Sequence, residues 1–349
     1  MIKGSRPAQQ TTKNMRVIRV VKTCLVACCI GFLIACLTGF EFLLPDYKLH
    51  PPAAFMDKWV GVITVGQLGN QLWGLASSHG IAKARKARWC IVDMHNYYYG
   101  KYKPLLEWKT APPERCPGWI VAHSLFRYFS FFNVVTDGDY FATYTPVFKE
   151  SPHSAVMLDG CLQSFKHFDP DVPVPFRLVA APLAEAWVRL KRVSVAIHVR
   201  RWDKRWSIGN VVPPVSYYQQ AIRVLNSRFP SSPWQKQDFV VATDDRGWVE
   251  NQDVFQGMTV LSSKDPAFDM AVISACQHKI ISVGTFGWWG AFLGDTTGRN
   301  NNNTTSLVIY PTLQMEWPLS FGFNNSDYFP PHWTGIDPQT YYYYYTMPS

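Results

Sequence analysis

Four cationic residues lie close together directly after an apolar run. The run Val193–Val199 (VSVAIHV) predicts a buried strand, and residues 200–205 after it read RRWDKR. An arginine offers a planar fork of N–H donors that pairs with two phosphate oxygens, and its charge survives burial. The segment therefore indicates either a diphosphate site or a solvated edge loop. His198, the last residue but one of the strand, projects into a cleft or lies in the core.

Polar residues and glycines also follow three other apolar runs. GQLGNQL at 66–72 contains two glycines that let the backbone approach a ligand, and its Asn70 is either a phosphate contact or a helix cap. Phe239–Ala242 leads into Asp244 and Asp245, which suit a ribose, a base or an ordinary turn. GTFGWWG at 284–290 is either an anion-binding nest at a helix start, with aromatic rings for stacking, or a tight turn packed by tryptophans.

Two pairs of aspartates have a spacing that could hold a divalent metal. Asp137 and Asp139, and Asp169 and Asp171, are each separated by one residue. Asp-Gly and Asp-Pro are turn formers, and the cationic segment at 200–205 can neutralise a diphosphate by itself. We therefore expect no metal site.

The elements that must position these residues alternate between strand and helix. Short apolar runs at 59–65, 193–199, 239–242, 280–283 and 307–310 predict strands, and helical spacing follows at 214–229 and 266–277. This alternation predicts an α/β fold with parallel sheets, most simply two Rossmann-like lobes. Ligands of such sheets bind at the carboxyl ends of the strands, where the candidate residues lie.

The positive charge of the chain is concentrated at its N-terminus. The 349 residues carry a net charge of +9, and six basic residues without an acidic one lie in residues 1–22. An uncharged apolar run of eighteen residues, Thr23–Phe40, follows and would span about 27 Å as a helix. We predict a cytosolic tail at 1–22, a transmembrane signal anchor at 23–44 and a short stem at 45–57, with the rest lumenal. This placement argues against nucleic-acid binding.

The lumenal part carries residues that a secretory compartment would modify. Cys90, Cys116, Cys161 and Cys276 allow three full pairings, among which the sequence does not choose. N-glycosylation sequons occur at Asn302, Asn303 and Asn324.

Five segments in order resemble the galactoside α-1,2-fucosyltransferases, a family of the glycosyltransferase family 11 type. The resemblance covers roughly residues 58–336. Its segments are GQLGNQL, GCLQSFKHF at 160–168, HVRRWDK at 198–204, DMAVISACQHKIISVGTFGWWGAFL at 269–293 and PPHWTGI at 330–336.

The resemblance implies a two-lobed GT-B fold with a cleft between the lobes. It implies an acceptor-side lobe at 58–185 and a GDP-fucose lobe at 186–340, leaving a tyrosine-rich tail at 341–349. It also implies an inverting, metal-free transfer of fucose from GDP-fucose to the 2-hydroxyl of a terminal galactoside, by a type II protein of the Golgi membrane.

Individual residues match the motifs of that family. Arg200 and Asp203 match positions expected to act in catalysis. Donor contacts are expected from Asn70, His198, Arg200, Arg201, Asp244, Thr285, Phe286 and Gly287. Trp202 stands where the family usually has glycine, a change that we interpret as tolerated. The alternatives are a fucosyltransferase of another linkage (core N-glycan or protein O-fucose) and an inactive sugar-nucleotide-binding protein.

Overall fold

The structure, a computed structural model, describes about three fifths of the chain. The predicted tail, anchor, stem and tyrosine-rich terminus lie outside the described residues. In the part that is described, no helix is long and apolar enough to cross a membrane. The described residues are 58–63, 66–92, 99–117, 134–136, 144–146, 155–160, 162–201, 212–230, 234–261, 263–297, 306–312 and 323–338.

A parallel sheet of five strands forms the first half of the fold. Its order is β4-β2-β1-β6-β5, and every neighbouring pair is parallel. Strands β3 and β7 pair antiparallel beside it. The strands are β1 (Trp59–Ile63), β2 (Arg88–Val92), β3 (Leu106–Trp108), β4 (Glu114–Arg115), β5 (Val134–Thr136), β6 (Ala155–Asp159) and β7 (Phe176–Leu178).

A second parallel sheet of six strands forms the other half. Its order is β10-β9-β8-β11-β12-β13. All five residues of β8 are buried, because a parallel strand inside an α/β fold is covered on both faces. The strands are β8 (Val195–Val199), β9 (Phe239–Thr243), β10 (Thr259–Val260), β11 (His278–Ile280), β12 (Val308–Pro311) and β13 (Thr334–Ile336).

Helices connect the strands and cover the sheets. Helix α1 (Leu68–Arg85) has a basic last turn and is terminated by the next residue, Lys86, whose backbone is left-handed (φ 52°). Single 3-10 turns occur at Lys103–Leu105, Phe165–His167, Lys236–Asp238 and Asp253–Phe255. The helices are α1 (Leu68–Arg85), α2 (Tyr99–Tyr102), α3 (Ala181–Lys191), α4 (Val215–Arg228), α5 (Arg246–Glu250), α6 (Pro266–Ala275), α7 (Thr285–Thr297) and α8 (Asn325–Tyr328).

The predicted α/β class with parallel sheets is confirmed, with shifts at individual elements. The strand predicted at 280–283 is β11, which begins two residues earlier at His278. The predicted boundary between residues 185 and 186 falls inside α3, whose Trp187 packs edge-on against Phe268 of α6 with ring centroids 6.3 Å apart.

An aromatic cluster joins α1 to α7. The Trp73 ring lies 4.1 Å from that of Trp288 and 5.5 Å from that of Trp289, measured between centroids. All three side chains are fully buried. Tight packing of these large rings holds a helix of the first half against a helix of the second.

Candidate active site

The register of the second sheet places Arg200 next to Asp244. Val199 at the end of β8 pairs with Thr243 at the end of β9, so the next residues of the two strands face each other. Asp244 Oδ2 lies 2.8 Å from Arg200 Nη1, and Asp244 Oδ1 accepts a hydrogen bond of 2.8 Å from the Arg201 amide. One carboxylate therefore fixes both the guanidinium of Arg200 and the backbone that follows it.

Arg201 is oriented by the element that follows β9. Its guanidinium carbon lies 4.1 Å from the Trp248 ring centroid, and its Nε lies 3.9 Å from Asp245 Oδ2. Asp245 also caps α5 by accepting a 3.0 Å hydrogen bond from the Trp248 amide. Both arginines are thus partly exposed cations held at the carboxyl edge of the sheet.

His198 lies in the core below the arginines. Its side chain is only 4% exposed, and burial, reinforced by the charge of Arg200, lowers its pKa to about 3. The ring lies 5.6 Å from that of Phe286, and a Cβ built on Gly287 would lie 2.3 Å from His198 Nδ1. A neutral imidazole therefore fills a space that exists because residue 287 has no side chain.

The N-termini of two long helices meet beside this edge. Asn70 in the first turn of α1 and Thr285 at the start of α7 are joined by a 2.9 Å hydrogen bond from Thr285 Oγ1 to Asn70 Oδ1. A Cβ on Gly69 would lie 2.5 Å from Thr285 Oγ1, so only glycine permits this approach. Both helix starts carry partial positive charge and N–H groups, which favour an anion.

The segment 284–290 provides a helix start and also packs tryptophans into the core, two roles that its sequence indicates. Thr285 to Gly287 form the first turn of α7, which packs against His198 two residues before Arg200. Trp288 and Trp289 are completely buried, so they belong to the aromatic cluster and are not exposed for stacking.

The arrangement suits a diphosphate. Positive charge and directed N–H donors lie at one edge of the second sheet. They come from the two arginines after β8 and from the beginnings of α1 and α7. Arginine forks bind phosphate oxygens in pairs, and helix N-termini add a fixed dipole.

Several predicted residues lie away from this edge or outside the described residues. Six of them lie outside the described residues, namely Trp202, Asp203, the sequon residues Asn302 and Asn303, and the pair Asp137 and Asp139. Asn324 is exposed and caps α8, accepting a 3.0 Å hydrogen bond from the Ser326 amide.

The second aspartate pair forms a turn. Asp169 Oδ1 accepts a 3.0 Å hydrogen bond from the Asp171 amide. Across the described ranges, no group of three or more histidine, cysteine or acidic residues is arranged to hold a metal ion.

One disulfide joins two of the four cysteines that follow the predicted anchor. Cys90 of β2 is bonded to Cys116. Cys276 is buried as a free thiol, and burial raises its pKa to about 12. Cys161 lies outside the described residues.

Three residues beside the site, Trp248, Tyr218 and Gln163, are not indicated by any pattern in the sequence. Tyr218 lies on the helical pattern at 214–229, which is typical of packing residues, and Trp248 lies on no pattern. Tyr218 is nevertheless buried beside Arg201 and Asp244, and burial raises its pKa. Gln163 donates a 3.4 Å hydrogen bond to Asn70 Oδ1. The feature of the sequence that could have indicated Gln163 is its position in the segment GCLQSFKHF at 160–168.

The structure is that of an α/β protein with two parallel sheets and a pair of arginines at the carboxyl edge of the second. Residues 185–337 match the family model described as Glycosyl transferase family 11. Over this segment, which is less than half of its length, the chain is similar to that family.

Curated relatives share part of their length with the chain. Galactoside alpha-(1,2)-fucosyltransferase 2 of Gorilla gorilla gorilla is 36% identical over 155 residues, which is 41% of this chain and 40% of that protein. Galactoside alpha-(1,2)-fucosyltransferase 1 of Oryctolagus cuniculus is 35% identical over 157 residues, 42% of this chain and 38% of that protein. The alignments span about half of each relative or less.

Solved structures give weaker likenesses. An Arabidopsis thaliana FUT1 mutant in complex with GDP is 12% identical, with a TM-score of 0.43, and covers 77% of this chain and 73% of that one. NodZ alpha-1,6-fucosyltransferase soaked with GDP-fucose is 15% identical, with a TM-score of 0.42, over 68% of this chain and 93% of that one. At these TM-scores the likeness supports no further conclusion.

Proposed function

We propose that the chain is a galactoside α-1,2-fucosyltransferase of GT-B architecture that uses GDP-fucose. The observation that carries the proposal is the Asp244 clamp, which holds Arg200 and the Arg201 backbone at the sheet edge where α1 and α7 begin. The names of the curated relatives supply the donor sugar linkage and the acceptor class.

The two arginines stabilise the leaving group. Cleavage of the sugar–phosphate bond develops positive charge on fucose and negative charge on the departing GDP. A guanidinium has five N–H donors, so Arg200 can pair with Asp244 and still bind phosphate oxygens. Charge already oriented toward the leaving group needs no reorganisation in the transition state, and such stabilisation is often the largest catalytic contribution.

Displacement by the acceptor hydroxyl from the opposite face inverts the anomeric centre. His198 is a weak base for that hydroxyl, because its pKa is about 3. Asp203 is the carboxylate nearest to the arginines in sequence, but pairing with an arginine would make it a weak base also. A strongly dissociative transition state makes little demand on a base, and Asp203 then orients the cationic segment.

The arginines take the place of a metal ion in this proposal. We expect EDTA to leave transfer unchanged, since Arg200 and Arg201 neutralise the diphosphate. Loss of transfer with EDTA and its recovery on adding Mn²⁺ would instead assign a metal role to Asp137 and Asp139.

The proposed location is the lumen of the Golgi, with a type II anchor at 23–44. The Cys90–Cys116 disulfide supports an oxidising compartment, because such bonds persist in the secretory pathway and are rare in the cytosol. Asn324 is exposed, as a glycosylated asparagine must be.

The decisive experiment incubates the purified full chain with labelled GDP-fucose and a panel of galactosides. We expect a fucosylated galactoside whose linkage, mapped by NMR, is α-1,2. Transfer to a core N-glycan or to protein would show another linkage. Saturable GDP-fucose binding without transfer or donor hydrolysis would show an inactive homologue.

A further inference from the structure

Residues 162–164, a short distance after β6, are held in a strained and anchored conformation. Leu162 has a φ of 47°, a left-handed value that a branched side chain rarely adopts. The Leu162 carbonyl accepts hydrogen bonds of 2.8 Å from Ser77 Oγ and 2.9 Å from the Ser164 amide. Strain that the surroundings maintain in this way is typical of functional segments.

This conformation places Gln163 where the N-termini of α1 and α7 meet. Ser164 Oγ donates a 2.8 Å hydrogen bond to the Asp327 carbonyl, so both neighbours of Gln163 are anchored. Gln163 is 8% exposed, and its Nε2 donates to Asn70 Oδ1. Asn70 Oδ1 also accepts from Thr285 Oγ1, which completes a chain of side chains from the first sheet to the first turn of α7.

We propose that Gln163 is a positioning residue for the donor, acting through Asn70. Two donors converge on Asn70 Oδ1, so the carboxamide of Asn70 keeps one orientation. The side-chain amide of Asn70, in the first turn of α1, is therefore oriented before GDP-fucose binds. The proposal rests on the proposed function, since it takes the diphosphate of GDP-fucose as the ligand beside Asn70.

A double-mutant cycle on the full chain tests whether Gln163 acts through Asn70. Gln163→Met keeps the size of the side chain and removes its donors, and Asn70→Ala removes the residue that it orients. We expect Gln163→Met to weaken GDP binding, measured by calorimetry, and to raise the KM for GDP-fucose, each roughly 2- to 10-fold, with a smaller change in kcat. In the Asn70→Ala background the same substitution should change GDP binding by less than about twofold.

The controls separate positioning from a structural role. Gln219→Met, on the exposed face of α4, should leave GDP binding unchanged. Gln163→Leu also removes the donors without adding a charge, and it replaces Gln163→Met if the latter fails to fold. Equal losses of GDP binding from Gln163→Met with and without Asn70 would overturn the proposal. Failure of the unsubstituted protein to bind GDP would refute the proposed function and this inference with it, whereas binding with an additive cycle would refute the inference alone.

Discussion

Replacing Gly287 with alanine should destabilise the protein through His198. The added Cβ would lie 2.3 Å from His198 Nδ1 and 2.8 Å from its Cγ, well inside van der Waals contact. Neither atom can move away easily, because the imidazole is attached to a fully buried strand and its side chain is 4% exposed. The overlap must therefore shift either β8 or the first turn of α7.

Two opposing contributions set the size of the effect. Alanine in place of a helical glycine normally adds about 0.5–1 kcal/mol of stability, since glycine loses more backbone entropy. Overpacking of a well-packed interior costs about 1–3 kcal/mol. A separation of 2.3 Å places the overpacking cost at the upper end of its range, so we expect a net loss of about 2–2.5 kcal/mol. We also expect weaker GDP binding, because Arg200 follows His198 by two residues.

Equilibrium urea unfolding of the full chain measures the change, provided that the m-value stays constant. Gly247→Ala is the matched control, because this helical glycine is exposed and its nearest neighbour atom is 4.0 Å from the added Cβ. Alanine there should be neutral or stabilising. In a His198→Ala background the cost of Gly287→Ala should largely disappear. A Gly287→Ala protein as stable as the unsubstituted one would refute the packing argument.

Three further predictions concern the site, the disulfide and pH. Arg200→Lys keeps the charge but loses the fork that meets Asp244 and phosphate, so turnover should fall roughly 10- to 100-fold in a GDP-fucose transfer assay, whereas Arg246→Lys on an exposed helix should not change it. Near-normal rates for Arg200→Lys would contradict the phosphate role. Replacing both Cys90 and Cys116, which are 26 residues apart, with serine should lower the unfolding free energy by about 2–4 kcal/mol in denaturant titrations, and an unchanged midpoint would contradict this. Burial lowers the pKa of His278 to about 4, so between pH 6.5 and about 4 the unfolded state binds a proton that the folded state does not, and acid destabilises the fold. His278→Gln should reduce the dependence of unfolding free energy on pH in that window by about 1.4 kcal/mol per pH unit, and equal slopes in the two proteins would exclude the effect.

The sequence by itself determined which segments form strands or helices and which polar residues lie at their ends. Val195–Val199 is apolar and β-branched, and it is followed at once by arginines, so both a buried strand and a cationic strand end were readable. These features depend on residues within one strand length of each other. The α/β class and the positions of Arg200, Asn70 and Thr285 at element ends were therefore predictable.

Only the tertiary structure decided which of those residues meet. Asp244 suited a ribose or a turn in the sequence, and the register of β8 against β9 made it the partner of Arg200. Asn70 and Thr285 are 215 positions apart, and their hydrogen bond depends on the packing of α1 against α7. Such contacts arise from the mutual fit of distant surfaces, to which no local pattern of residues corresponds.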